Sequence, residues 1–265
     1  MKIYLSADIE GVTGVTHWNE TDLEKADYTP YREQMIAEVN AACEGALAAG
    51  ASEIWVKDAH DSARNLIPAR LPRQVRLVRG WSGHPFSMMQ ELDSSFQAVV
   101  LIGYHSRAGA DTSPLAHTMN GSIHLLTINQ QEASEFLISA YTAAYQGVPV
   151  VFVSGDQGLC DEIALFNPKI TALAVKKGVG DSTINLHPET AIEQIRSGVS
   201  RALQGDLGAL RIDLPDHFDL EITYRQHMKA YEKGFYPGAR QVGPRTIRFE
   251  TEDYFEALRF MLFTL

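Results

Sequence analysis

Lys2-Ile3-Tyr4-Leu5-Ser6-Ala7-Asp8-Ile9-Glu10-Gly11 begins the chain as a β-rich run that closes on two carboxylates and a glycine. In an extended strand, side chains at i and i+2 share a face, so Asp8 and Glu10 can present their carboxylates to one point while Gly11 lets the backbone turn. Beyond it, Met35, Val39, Cys43 and Ala46 recur at helical spacing until Gly50 supplies a stop, and residues 53–58 again look like a strand. Strand, helix and strand in this order predict a βαβ unit with a parallel pair and a right-handed crossover.

The alternation continues along the chain. Residues 75–78 are a further strand candidate, 86–92 a short helix, and 97–104 a continuous apolar run of the kind buried on both faces of an α/β sheet. Residues 122–128 look extended, 132–145 helical and 148–153 extended, before the turn Ser154-Gly155-Asp156 and a helix over 188–203. This order predicts a three-layer α/β fold, a mostly parallel sheet with helices on both faces. The stretch 204–209 carries two glycines and little periodicity. After it, 210–214, 219–224 and 246–250 alternate like strands and 252–263 is an amphipathic helix. Residues 1–204 are therefore expected to form the α/β catalytic domain and 205–265 a smaller α+β C-terminal domain.

Composition narrows the partners. A formal net charge of -10 and a pI near 5.4 oppose a phosphate backbone, and no Lys/Arg-rich block offsets them, so nucleic acid is not expected as a partner. No apolar run approaches the roughly 18 residues of a membrane span. The opening run meets acidic residues too soon for a signal peptide, which points to a cytoplasmic protein. Cys43 and Cys160 lie far apart and form no CxxC, so free buried thiols are expected.

Ligands of open α/β sheets bind outside the carboxyl ends of the parallel strands. Two further strong strands end there in Asp58-Ala59-His60 and Gly103-Tyr104-His105, adding two imidazoles to the acidic pair. Imidazole nitrogen with carboxylate oxygen suits zinc first, or manganese or iron where oxygen dominates. His117, His124, Glu135 and Asp156 are further candidates, although Glu135 by spacing alone is a first-turn acid complementing a helix dipole. His84, His187, His217 and His227 have no partner pattern.

Ser6-Ala7-Asp8-Ile9-Glu10-Gly11 resembles the S-x-D-x-E-G signature of the DppA-type D-aminopeptidases, binuclear zinc peptidases. The resemblance extends through Asp58-Ala59-His60, Pro85-Phe86-Ser87-Met88, Gly103-Tyr104-His105, His117-Thr118-Met119, Ile128-Asn129, Ser134-Glu135, Pro237-Gly238 and Phe249. It implies two zinc ions per chain, with Asp8 bridging them, Glu10 and His60 completing one site and His105 and Glu135 the other. It places His117 as the catalytic histidine. It also implies short peptides with an amino-terminal D-residue, of the D-Ala-D-Ala type, as substrates and a ring-shaped homo-oligomer as the assembly. The loop over 108–114 is one residue longer than the family form, and Asp61 and His84 replace other side chains; both departures bear on substrate choice. The rivals are a two-metal hydrolase of another class (β-amino or L-peptides, phosphoesters) and a non-catalytic metal-dependent binding protein.

Overall fold

The computed structural model describes residues 1–265. The opening run forms β1 (Lys2–Ala7), buried from Ile3 onward, and α1 (Tyr28–Ala48) leads from it to β2 (Glu53–Asp58), followed by β3 (Val75–Val78) and β4 (Ala98–Tyr104). Then come β5 (Ile123–Ile128), β6 (Gln131–Glu132), α2 (Glu135–Tyr145) and β7 (Val150–Asp156). The hairpin β8 (Thr171–Val179) and β9 (Ser182–Asn185) lies between α3 (Gln157–Phe166) and α4 (Pro188–Leu203). The chain finishes with β10 (Phe218–Tyr224), α5 (His227–Lys233), β11 (Arg240–Gln241), β12 (Thr246–Thr251) and α6 (Tyr254–Thr264).

The large sheet runs β3-β2-β1-β4-β7-β8-β9, parallel except for β9 at its edge. From β1 the chain first steps outward through β2 and β3, then returns to place β4 on the other side of β1. The pair β1–β4 is thus the topological switch point, where the loops part and leave a crevice. Right-handed crossovers that leave this point in opposite directions carry their helices to opposite faces. Accordingly α1 packs with α4, while α2 lies on β4 and α3 on β7 and β8. The expected three-layer architecture is present.

A second sheet, antiparallel, runs β11-β12-β10-β5-β6. It draws on both sides of residue 204, since β5 and β6 join strands of the C-terminal segment. Helix α2 ties the sheets together: its Tyr141 packs edge-on against Phe218 of β10 and Tyr254 of α6, whose hydroxyl donates to the Ile138 carbonyl at 2.8 Å.

Several local expectations need correction. Residues 86–92 form only a single 3-10 turn at Ser87–Met89, because Ser87 and Glu91 take positive φ and break the helical path. The helix expected over 132–145 starts at Glu135, where the Ser134 hydroxyl caps it by accepting from Leu137 N–H, while Gln131–Glu132 pairs with β5. Residues 210–214 alternate like a strand but pair with none, since β12 and β5 already flank β10. The elements over 157–185 and 227–233 had no assignment from sequence; in α3 and α5 the apolar stripe is too short for periodicity to register.

Candidate metal centre

The carboxyl ends of β1 and β4 approach so closely that only glycine fits between them. Gly103 lies at φ +71° where the register of β4 shifts against β7, and a Cβ there would sit 2.2 Å from the Asp8 carbonyl oxygen. A Cβ on Gly11 would lie 1.7 Å from the carbonyl oxygen of Tyr104. This bulged contact lets Asp8 N–H bond to Ile102 O and Gly11 N–H to Gly103 O, each at 2.8 Å, and brings His105 beside Asp8.

Six side chains then converge, all buried: Asp8, Glu10, His60, His105, His117 and Glu135. The Nε2 of His60 hydrogen-bonds the Thr21 carbonyl at 2.8 Å, which leaves Nδ1 facing Asp8 Oδ1 at 3.2 Å and Glu10 Oε2 at 3.0 Å. His105 is the mirror case. Its Nδ1 bonds the Ser106 carbonyl at 2.9 Å, and its Nε2 faces Asp8 Oδ2 at 3.5 Å and Glu135 Oε2 at 3.4 Å. Asp8 therefore turns one oxygen to each histidine. His117, stacked on His105 with centroids 4.3 Å apart, donates from Nδ1 to the Leu115 carbonyl at 2.9 Å and points Nε2 at Glu135 Oε1, 3.6 Å away.

In a neutral imidazole whose N–H is given to a backbone carbonyl, the other nitrogen carries a lone pair. At His60 and His105 that lone pair meets carboxylate lone pairs, an arrangement that only a cation or a proton between them stabilises. Glu10 Oε2 and His105 Nε2 are both buried with no hydrogen-bond partner. A buried polar atom left bare costs about 1–3 kcal/mol, so two in one cluster mark a place for a charge. The donor atoms form overlapping triads, Asp8 with Glu10 and His105, and His105 with His117 and Glu135.

Electrostatics give the same sign. Burial opposes the charged imidazole of His60, but Glu10 and Asp8 outweigh it and hold His60 well above its ordinary range. Burial likewise opposes His105, and Glu135 with Asp8 overrides it, raising the ring to about 10. Burial pushes Asp8 up, reinforced by Glu10, while His60 keeps Glu10 low and His105 keeps Glu135 low against the same penalty. With no metal bound, protons settle on the two imidazoles that face the carboxylates. His117 differs: burial and the neighbouring His105 both lower it, so it stays neutral with its Nε2 free to accept.

The D-aminopeptidase family, peptidase family M55, matches residues 1–263 of this chain. The D-aminopeptidase of Bacillus subtilis (strain 168) is 31% identical over 264 residues, covering 99% of this chain and 96% of the relative. The chain belongs to the D-aminopeptidase family. Among solved structures, the Zn-dependent D-aminopeptidase DppA from Bacillus subtilis, a self-compartmentalizing protease, matches this D-aminopeptidase family member with a TM-score of 0.93 at 30% identity, over 99% of this chain and 96% of that one.

In this D-aminopeptidase family member a cavity of about 780 Å³ opens above the cluster, with Asp8, Glu10, His60, His117 and Glu135 in its lining. Exposed Trp18 and Trp81 flank its mouth with Asp22, Glu24 and Asp61, and Arg64 is the only Lys or Arg among its walls. The other sequence candidates are placed elsewhere. His124 points outward from β5, and Asp156 spends both oxygens on Ser106 and the Leu159 N–H at the start of α3. His187 caps α4 by accepting from Glu189 N–H, and His84 packs on Phe86 at the cavity edge. Sequence reasoning missed the backbone groups that aim these side chains, namely the carbonyls of Thr21, Ser106 and Leu115 and the Met119 N–H, which donates to Glu135 Oε1 at 2.7 Å. Peptide groups carry no residue signature, so no signal pointed to them. It also missed Lys176, buried beside the site, whose ammonium donates to the carbonyls of Glu10 and Val15 and so fastens the loop after β1.

Proposed function

We propose that this chain is a zinc-dependent aminopeptidase that hydrolyses short peptides with an amino-terminal D-residue, of the D-Ala-D-Ala type, using two zinc ions per chain. The observation that carries the reading is Asp8, with one carboxylate oxygen toward His60 and the other toward His105, and bare donor atoms on Glu10 and His105 beside it. Asp8 would bridge, Glu10 and His60 would complete one site, and His105 and Glu135 the other. The mixed nitrogen and oxygen donor set suits zinc, and each imidazole is already oriented by a backbone carbonyl. When bound, a pair of such ions lowers the pKa of water and polarises the scissile carbonyl.

The chain's own residues do the rest. His117 brings a neutral Nε2 to the same pocket, held in that tautomer by Leu115, and would take a proton from the attacking water and return it to the leaving amine. Asp22, Glu24 and Asp61 at the mouth attract the substrate's ammonium group. The same acids, with Arg64 as the only counter-charge, repel a phosphoester and weigh against the phosphoesterase reading. A neutral catalytic base already aimed into the pocket weighs against a binding protein.

All six residues fall within 1–204, the proposed catalytic domain, and residues 205–265 would be the smaller C-terminal portion, although its sheet is completed by β5 and β6. No helix is long and apolar enough to cross a membrane, and Cys43 and Cys160 are free, which fits a reducing cytoplasm. Self-association into a ring is supported by the exposed side chains of Met228 and Tyr231 on α5, Phe235 just beyond it and Phe263 on α6. The deciding experiment assays zinc-reconstituted protein on D- and L-peptides, β-amino peptides and phosphoesters, with metal measured on the same sample. Hydrolysis of D-Ala-D-Ala at about two zinc per chain is the expected result; turnover confined to phosphoesters, or a metal-loaded protein inert to every peptide, would falsify it.

A further inference from the structure

Beside the acidic cavity lies a second, smaller recess of about 210 Å³ with no charged side chain in its walls. Ser87, Met119, Asn120 and Leu262 line both spaces, so the recess opens directly off the site. Its remaining apolar surface comes from Ile138 of α2 and from Leu258, Met261 and Leu265 at the end of the chain. Met119 is the hinge between the two. It is held at φ +64°, a conformation a long side chain seldom takes, and this posture gives its N–H to Glu135 while its side chain forms part of the recess wall. The residue that orients Glu135 is therefore also a wall of an apolar recess adjoining the metal cluster.

We propose that this recess is a substrate subsite that receives an aliphatic side chain flanking the scissile bond. Resting on the aminopeptidase reading above, the inference adds that α6, from the C-terminal portion, selects the substrate. The division of labour follows from chemistry: the acidic mouth suits the ammonium group, and the uncharged recess suits a branched hydrocarbon, which no carboxylate-lined wall would stabilise. The side chain can come from the amino-terminal residue or from the residue after the cleaved bond, and the two sources are separable.

The test compares D-Ala-D-Ala, D-Leu-D-Ala and D-Ala-D-Leu on zinc-loaded wild type and on the variants Leu265→Trp and Leu262→Trp. Leu262 is 38% exposed and Leu265, beyond α6, is only partly buried, so a larger ring at either place would fill the recess without displacing a fully buried side chain. Wild type is expected to hydrolyse one leucyl peptide with a lower KM than D-Ala-D-Ala, and which one identifies the source of the side chain. In both variants the kcat/KM of that peptide relative to D-Ala-D-Ala should fall at least about tenfold, the loss residing in KM. An unchanged ratio in variants that melt like wild type, or exclusion of both leucyl peptides by wild type, overturns the subsite while leaving the peptidase reading intact. Failure of wild type on all three peptides overturns both.

Discussion

His117 and Glu135 lie 3.6 Å apart, yet their substitution should have opposite signatures. His117→Ala is expected to lower turnover by about 10²–10⁴-fold with zinc content unchanged, because the role proposed for it is to move a proton. Glu135→Gln is expected to lose about one zinc per chain, measured by atomic emission on the dialysed protein. Retention of both ions by the Glu135 variant, or loss of zinc by the His117 variant, would exchange their roles. Metal loading should also release protons. In the metal-free chain His60 is raised well above its ordinary value and His105 to about 10, so both are protonated at pH 7, whereas ligation needs the neutral ring. Zinc affinity should therefore rise with pH from neutrality toward about 10 and fall as the solution is acidified. Calorimetric titration at pH 7 in buffers of different ionisation enthalpy checks this, and an observed enthalpy independent of the buffer would sink it. At this scale the side-chain identities were legible in the chain itself, since Asp8, Glu10, His60 and His105 each stand at the end of a recognisable strand. Glu135 and His117 were not, because spacing alone made Glu135 an ordinary first-turn acid, and only the resemblance raised it.

At the scale of elements, the site depends on how β1 and β4 end. Gly103→Ala should destabilise the fold by more than about 3 kcal/mol, combining a left-handed backbone with a clash against a carbonyl that cannot withdraw. Gly121→Ala, where nothing lies within 4 Å of the added carbon, should change stability by less than about 0.5 kcal/mol. Urea denaturation of both variants decides the point; similar midpoints would mean that the bulge in β4 is not needed. The central parallel strands β4 and β7 were readable because each is buried throughout and appears as a largely apolar run, whereas β8, parallel but only partly buried, left no such run. The 3-10 turn at Ser87–Met89 and the unpaired residues 210–214 were misread for a complementary reason: helix and strand patterns describe what a segment can do, while the positive φ at Ser87 and the absence of a free sheet edge decide what it does.

Across the whole molecule, α5 and the end of α6 present aromatic rings to the outside. Tyr231 and Phe235 stack edge-on at 5.2 Å, and Lys233 reaches the Phe263 carbonyl at 3.0 Å, so the end of α5 lies beside the end of α6. If this surface joins copies of the chain, Tyr231→Glu combined with Phe235→Glu should reduce the mass seen by light scattering toward the 29.3 kDa of a single chain, with zinc content retained. An unaltered mass would move the interface elsewhere. A ring that enclosed the cavities would admit only short chains, which an acidic mouth and a small apolar recess would also select.

The sequence by itself determined the alternation that makes the large parallel sheet and the chemical identities gathered at its carboxyl edge. Both are local properties: a strand's burial shows in its own residues, and a ligand's type is its side chain. Only the tertiary structure decided which nitrogen of each histidine faces inward, because carbonyls of Thr21, Ser106 and Leu115 make that choice and any residue can supply a carbonyl. It alone decided, too, that β5 would pair with β10 some ninety residues later, and that α6 would close a recess beside Glu135. Such pairings are set by the packing of distant segments against a shared core, which leaves no periodic trace in either segment.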